Sequence, residues 1–246
     1  MKKLLFIFVG LLLFSCKGDS VEVQSGDGSG RGGSMARFTI VGDYLYLVDN
    51  QSLVSFNIKN EDNPTYGAKT PISAFTETIF PFKNNLLVGT QTGMQIFGLS
   101  NPISPNQISV YQHVTSCDPV VADGNVAYVT LRSGTACNRG QNLLDVIDIS
   151  QMQSPLQIGS YPMQNPHGLG VRGKLLFVCE GDNGLKVFDK SNHRSLKLLH
   201  TIEDVKSFDV IPLSNHLIVT GKDGISQYEY TEDGKMNLLS QLTIEK

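Results

Sequence analysis

The sequence predicts an all-β protein, a β-propeller of five four-stranded blades. Three observations lead to this fold class: an internal repeat of about 40 residues, tight-turn dipeptides at the same point of several repeats, and no helix-period segment longer than two turns after the N-terminal region. A unit of this length that contains several short strands is typical of a propeller blade.

The first 15 residues predict a secretion signal. Met1–Lys3 is cationic and Leu4–Phe14 is an apolar run with one glycine, shorter than the roughly 20 residues of a membrane-spanning helix. Its end, Leu13-Phe14-Ser15-Cys16, resembles the lipobox of bacterial lipoproteins, in which the cysteine is acylated and becomes the new N-terminus. The resemblance implies that Cys16 carries lipid; the alternative is an ordinary secretory signal with an incidental cysteine.

A tether follows the cysteine. Residues 17–34 are rich in glycine, serine and charged residues, and as a Gly/Ser coil these 18 residues span on the order of 23 Å. The domain boundaries that follow are 1–15 for the signal peptide, 16–35 for the lipidated cysteine and tether, and 36–246 for the propeller. Lys17 replaces the aspartate associated with inner-membrane retention in enterobacterial lipoproteins, so the expected location is the outer membrane of the cell envelope.

Composition limits the partners of the mature chain. The 246 residues are 40% hydrophobic and 17% charged, which is sufficient for one large core or two small ones. Without Lys2 and Lys3, 18 basic residues face 23 acidic ones, a net charge of −5. This balance argues against nucleic acid, and the scattered charges form no polybasic membrane patch.

Five repeats define the blades. Their second strands begin at Tyr44, Asn85, Val126, Lys174 and His216, and their third strands begin at Leu53, Met94, Leu144, Leu185 and Ile225. The third strands start 41, 50, 41 and 40 positions apart. Fourth strands are predicted at Pro105–Tyr111, Leu156–Tyr161, Leu196–Ile202 and Asn237–Ile244.

Turn dipeptides separate the second and third strands. Thr92-Gly93, Asn183-Gly184 and Asp223-Gly224 lie where the chain must reverse, and Asn-Gly and Asp-Gly provide the positive φ angles of tight hairpins. Because every blade is contiguous in sequence, closure of the ring depends on packing between blades and leaves a weak seam.

The third strands resemble a known family. Leu143–Ser150 and Leu185–Asp189 look like the LVIVD repeat of predicted propeller lipoproteins from Bacteroidetes-type bacteria, and Cys117–Gly134 resembles the most recognisable stretch of that family. Three blades replace the aspartate of the motif, with Asn57, Gly98 and Glu229. The resemblance covers roughly residues 37–245 and implies a fold and an export route, but no established activity.

Three cysteines remain after Cys16. Cys117 precedes the innermost strand of blade 3, and Cys137 lies in an enlarged loop between the second and third strands of the same blade. Both loops emerge on one face of a propeller, and the signal directs the chain to an oxidising compartment, so a Cys117–Cys137 disulfide is predicted. Two free thiols are the alternative. Cys179 follows Phe177-Val178 in a strand and is interpreted as a core residue.

A candidate site lies at the mouth of the central channel. Alignment of the five first strands on their second strands places Ala36, Glu77, Asp118, His167 and Phe208 in one column. Two carboxylates and an imidazole that converge there could bind a cation or a polar ligand. The alternative is that each side chain caps a turn or bonds to the backbone of a neighbouring blade.

Other candidates for chemistry are weak. Asp148 and Asp189 occupy equivalent positions in different blades, which separates them too widely for paired glycosidase acids and favours turn caps. His113, His193, His200 and His216 have no ligand spacing, and no nucleophile, phosphate-loop or dinucleotide motif is present. No catalytic residue, metal ligand or cofactor is therefore predicted.

Three functions remain open. The favoured one is a membrane-anchored, non-catalytic binding or scaffolding propeller for a protein or a glycan. The second is a carbohydrate-active enzyme, a glycosidase that would use Glu77 and Asp118. The third is a structural subunit of an envelope complex.

Overall fold

The computed structural model describes residues 33–113, 119–133 and 141–244. These residues form twenty β-strands and no helix, arranged as five four-stranded antiparallel sheets. The predicted fold class is confirmed. The signal peptide, Cys16 and the tether to residue 32 lie outside the described residues, as do Cys117, Asp118 and Cys137.

Each blade is built from four consecutive strands. Blade 1 contains β1 (Phe38–Val41), β2 (Tyr44–Asp49), β3 (Ser52–Asn57) and β4 (Thr65–Pro71). Blade 2 contains β5 (Thr76–Phe82), β6 (Asn85–Thr90), β7 (Gly93–Gly98) and β8 (Asn106–Gln112). Blade 3 contains β9 (Val120–Asp123), β10 (Val126–Leu131), β11 (Leu143–Asp148) and β12 (Leu156–Pro162). Blade 4 contains β13 (Leu169–Arg172), β14 (Leu175–Cys179), β15 (Leu185–Asp189) and β16 (Lys197–Ile202). Blade 5 contains β17 (Ser207–Pro212), β18 (His216–Gly221), β19 (Gly224–Tyr230) and β20 (Met236–Thr243).

The first strand of each blade is the innermost. β1 contacts β5, β5 contacts β9, β9 contacts β13 and β13 contacts β17, whereas the fourth strands lie at the outer edges of their sheets. The chain therefore enters every blade at the centre and leaves it at the rim. The entry ends of the first strands lie together at one end of the ring, called here the axial face, which also carries the turns between second and third strands.

Glycine permits the predicted turns between the second and third strands. Gly184 and Gly224 have φ values of +94° and +122°, a region that favours glycine. A Cβ atom at either position would also overlap a backbone carbonyl of the fourth strand, at Ile202 and Leu242 respectively. Both the positive φ angle and the close approach of the fourth strand therefore require glycine at these two positions.

The aspartates at the ends of the third strands cap turns, as predicted. The Asp148 carboxylate accepts a hydrogen bond from the Ser150 N–H at 2.9 Å, and Asp189 accepts one from the Ser191 N–H at 2.8 Å. The N–H and hydroxyl of Ser150 hold the pKa of Asp148 below its usual range, and the hydroxyl and N–H of Ser191 do the same for Asp189. In blade 1 the Asn57 amide oxygen accepts the equivalent bond from the Lys59 N–H at 2.9 Å, which explains why asparagine can replace the aspartate of the motif.

Four apolar clusters join neighbouring blades. They lie between blades 1 and 2, 2 and 3, 3 and 4, and 4 and 5, and none of the clusters among the described residues joins blade 5 to blade 1. Cys179 belongs to the cluster between blades 4 and 5 and is fully buried, which confirms its interpretation as a core residue.

The two faces at the junction of blades 5 and 1 are unusually exposed. Ile225 of blade 5 is 38% exposed, whereas its counterpart Leu185 in blade 4 is completely buried. Phe38 of blade 1 is 63% exposed, whereas its counterpart Leu169 is completely buried. The junction between the first and last blades is therefore the least tightly packed of the ring.

Candidate functional site

The predicted column of residues lies at the entry ends of the innermost strands. Ala36 precedes β1, Glu77 lies at the start of β5, His167 precedes β13, and Phe208 lies at the start of β17. Glu77 and Phe208 each fall at a shift in strand register, between Thr76 and Thr78 and between Ser207 and Asp209. Such bulges change the direction in which a side chain points and are common near binding sites. Asp118 lies outside the described residues.

His167 lies at the centre of the observed cluster. Its ring lies 5.1 Å from the Phe208 ring, centroid to centroid, and its Nε2 atom lies 3.4 Å from a guanidinium nitrogen of Arg132. Burial, together with the charge of Arg132, lowers the pKa of His167 to about 4. The imidazole is therefore neutral at pH 7.

The backbone of His167 is fixed on both sides. Its N–H donates to the Cys179 carbonyl at 2.8 Å, and its own carbonyl accepts the Thr130 hydroxyl of blade 3 at 2.6 Å. The second bond crosses between blades. It fixes the backbone of His167 relative to blade 3.

Arg132 is a site residue that the sequence analysis missed. It directly follows β10 on the axial face, where the backbone enters the enlarged loop of blade 3. Partial burial lowers the pKa of the guanidinium, and the negative charge of Glu77 opposes that shift. Glu77 of blade 2, Arg132 of blade 3 and His167 of blade 4 thus form one electrostatic group. Together with Phe208 we call these residues the axial site.

A buried glutamate binds the backbone segment that precedes His167. Glu180 is fully buried; its carboxylate accepts the N–H groups of Gln164 and Asn165 at 3.0 and 2.7 Å, and pairs with the Lys186 ammonium at 2.8 Å. These bonds hold the segment that leads into His167. A buried charge with a full set of partners is consistent with the cost of removing ions from water.

Gly181 brings the same turn against the site. It has a φ of +59°, and a Cβ atom there would lie 2.5 Å from the Asn165 amide nitrogen and 2.9 Å from His167 Nε2. Glycine at this position therefore leaves room for the imidazole. The sequence predicts a turn at Asn183-Gly184, but not the packing of Gly181 against Asn165 and His167.

Exposed apolar side chains lie on the axial face. Met35 and Phe75, in the segments that enter blades 1 and 2, are 40% and 52% exposed, and Phe208 is 37% exposed. A guanidinium, a carboxylate, a neutral imidazole and exposed apolar groups form a surface suited to recognition by hydrogen bonding and ring contacts.

The described residues provide no metal site. No group of three or more His, Cys, Asp or Glu side chains in residues 33–113, 119–133 and 141–244 is arranged to hold a metal ion. The glycosidase alternative requires Glu77 and Asp118 as a pair, and the structure does not place Asp118.

Within the part of the chain that the structure describes, no helix is long and apolar enough to cross a membrane.

Comparison with known proteins bears on both repeat and fold. Residues 116–162 and 167–204 match the family model of the LVIVD repeat. These two segments therefore carry LVIVD repeats. The matched LVIVD residues cover blades 3 and 4, including Arg132 and His167 of the axial site. A search of curated proteins finds no match.

Solved structures share the architecture of this propeller. A functionally unknown protein from Desulfotomaculum acetoxidans superposes with a TM-score of 0.70 at 12% identity, over 87% of this chain and 71% of that one. BamB from Moraxella catarrhalis gives 0.53 at 13% identity, over 79% and 57%. A chain of the mitotic checkpoint complex gives 0.59 at 17% identity, over 80% and 61%. At these identities the likeness establishes the propeller fold alone.

Proposed function

We propose that this LVIVD-repeat protein is a lipid-anchored component of the cell envelope whose propeller binds a partner protein, without catalysis, at the axial site. The observation that carries the proposal is the convergence of Glu77, Arg132, His167 and Phe208 from four different blades at one end of the ring. Groups from separate blades meet there only when the propeller is folded, as expected of a binding surface placed on a rigid scaffold.

The composition of this surface supports a protein as the partner. Exposed Phe75, Met35 and Phe208 supply apolar anchors, and Arg132 supplies a charged one. Aromatic residues, methionine and arginine are the types enriched at protein interfaces. The neutral state of His167 at pH 7 allows it to accept or donate a hydrogen bond without the cost of burying a charge.

The lipid anchor is proposed from the lipobox-like Leu13–Cys16 and the tether that follows it. The net charge of −5 in the mature chain gives the domain no electrostatic attraction to an anionic bilayer. Lipid on Cys16 would therefore provide the membrane association, and a protein partner would provide the specificity.

Capture from detergent-solubilised envelope tests the binding proposal. The unaltered protein, an Arg132→Ala/Phe208→Ala double variant and a Glu61→Ala control on the opposite end of the ring are each used as bait. We expect one protein to be recovered by the unaltered bait and the control and to be lost with the double variant. Equal recovery by all three baits, with the double variant shown to be folded by its melting curve, would contradict binding at the axial site.

A further inference from the structure

We propose that the axial site faces the membrane that holds the lipid anchor, and that its partner is an extramembrane segment of a protein in that same membrane. The inference rests on the anchoring proposed above. The observation behind it is the place where the chain enters the folded domain.

The last residues of the predicted tether, from Gly33 onward, are bound at the centre of the ring. Ser34 is 1% exposed; its hydroxyl donates to Asp209 of blade 5 at 3.1 Å and accepts the Leu169 N–H of blade 4 at 2.7 Å. The Met35 N–H also points to the Asp209 carboxylate, at 3.4 Å. At the next residue, the Ala36 carbonyl accepts the Ile79 N–H of blade 2 at 2.9 Å. The entering chain is thus tied to three blades within three residues.

Two glycines leave room for the Asp209 carboxylate beside Ser34. A Cβ atom on Gly33 or on Gly168 would overlap the Asp209 carboxylate, so only glycine at both positions allows the carboxylate to reach Ser34. Asp209 also accepts the Val210 N–H at 2.9 Å, which gives this largely buried carboxylate a full set of donors. We call Gly33, Ser34 and Asp209 the clasp.

The clasp lies directly beside the axial site. Asp209 follows Phe208 in sequence, and Gly168, whose Cα faces the Asp209 carboxylate, follows His167. The tether therefore leaves the domain at the same end of the ring, and at the same radius, as the proposed binding residues. The opposite end carries the connections between third and fourth strands, such as the exposed segment around Glu61.

Dimensions decide which end of the ring stays near the bilayer. If residues 17–32 behave as the Gly/Ser coil that their composition predicts, they span about 22 Å root-mean-square, and a folded domain of about 210 residues has a radius of gyration of about 17 Å. A tether rooted at the centre of one face would have to pass around the rim to turn that face outward, a path well beyond its average span. The axial face therefore stays on the membrane side.

The position of the site limits its partner. A ligand free in bulk solution would reach the opposite end of the ring more easily than the end facing the bilayer. The acidic mature chain argues against lipid headgroups, which leaves a segment of a protein held in the same membrane. Met35, Phe75 and Phe208 provide the apolar contacts for it.

The orientation is testable with tryptophan fluorescence because the natural chain contains no tryptophan. Phe75→Trp places a reporter on the axial face and Glu61→Trp places one on the opposite end; both positions are exposed. The lipidated variants, purified from envelope, are reconstituted in vesicles of phosphatidylethanolamine, phosphatidylglycerol and dansyl-phosphatidylethanolamine. We expect energy transfer from Phe75→Trp to be roughly twofold or more above that from Glu61→Trp, given the short reach of the tether. Equal transfer, or the reverse order, would overturn the orientation.

Photo-crosslinking in intact cells tests the partner. Benzoylphenylalanine at Phe75 should form an adduct with a membrane protein, and the same group at Glu61 should not. Adducts at Phe75 with lipid alone or with a soluble protein alone would overturn the inference about the partner. Flotation of the vesicles separates this result from failure of the anchor. If a Cys16→Ser protein whose signal has been removed floats as well as the unaltered protein, the proposed lipidation is wrong. Equal transfer from natural protein that does float refutes the orientation alone.

Discussion

His167 shows how residues at the axial site depend on the surrounding blades. Its position in the column with Glu77 could be predicted, because both lie at the same place in their repeats. Arg132 and Glu180 could not, because one acts across the boundary between blades and the other through the backbone of Gln164 and Asn165. A single sequence shows the period of the repeat, but it does not show which side chains of neighbouring blades contact each other.

The pH dependence of stability tests the environment of His167. Burial lowers the folded-state pKa of this group to about 4 from the usual 6.5, so between these two pH values the unfolded chain binds a proton that the folded chain does not. Stability therefore falls as the pH drops from about 6.5 towards about 4. Between pH 7 and pH 5, the melting temperature of the natural protein should fall further than that of His167→Gln. A His167 titration midpoint near 6.5 by NMR would show that the imidazole is not buried as described.

The strands were predicted closely from sequence because each blade repeats the same pattern. Observed third strands begin within one residue of the predicted Leu53, Met94, Leu144, Leu185 and Ile225. The exposure of the last blade was not predicted. Gln227 of blade 5 occupies the position at which the other blades bury Ile96, Val146 and Val187 completely. An exposed polar residue at a position that elsewhere packs against the next blade is the sequence sign of the weak junction.

Two matched substitutions compare how much each junction between blades contributes to stability. Leu185 and Ile225 occupy equivalent positions, but Leu185 is fully buried between blades 4 and 5 and Ile225 is 38% exposed. Leu185→Ala should lower the free energy of unfolding by about 2–5 kcal/mol, and Ile225→Ala by about 1 kcal/mol or less, because less contact is lost. Urea denaturation gives both values. Similar losses would show that blade 5 packs against blade 1 as tightly as the other blades pack together.

The enlarged loop of blade 3 carries a separate prediction. Cys117 and Cys137 lie outside the described residues, and their disulfide stays a prediction; it would close a loop of about 20 residues and contribute on the order of 3 kcal/mol. Alkylation of the unreduced, denatured domain, produced without Cys16, should label Cys179 alone. Label on Cys117 and Cys137 without reductant would refute the bridge.

At the scale of the whole molecule, five blades form one propeller in which the axial site and the clasp lie at the same end. The four tight junctions between blades come from repeated apolar clusters, and the first and last blades meet with much less burial. The fold could be predicted from periodicity alone. The clasp could not, because Ser34 lies in a polar segment whose partner, Asp209, is 175 residues away in the chain.

Membrane attachment through a lipid on Cys16 is tested by the fate of Cys16→Ser. Cells that produce the natural protein or the variant are fractionated, and signal cleavage is verified by mass spectrometry of the mature N-terminus. The natural protein should remain with the membranes and carry lipid on Cys16, whereas the cleaved variant should appear in the soluble fraction of the envelope. A cleaved Cys16→Ser protein that stays with the membranes would contradict lipid anchoring.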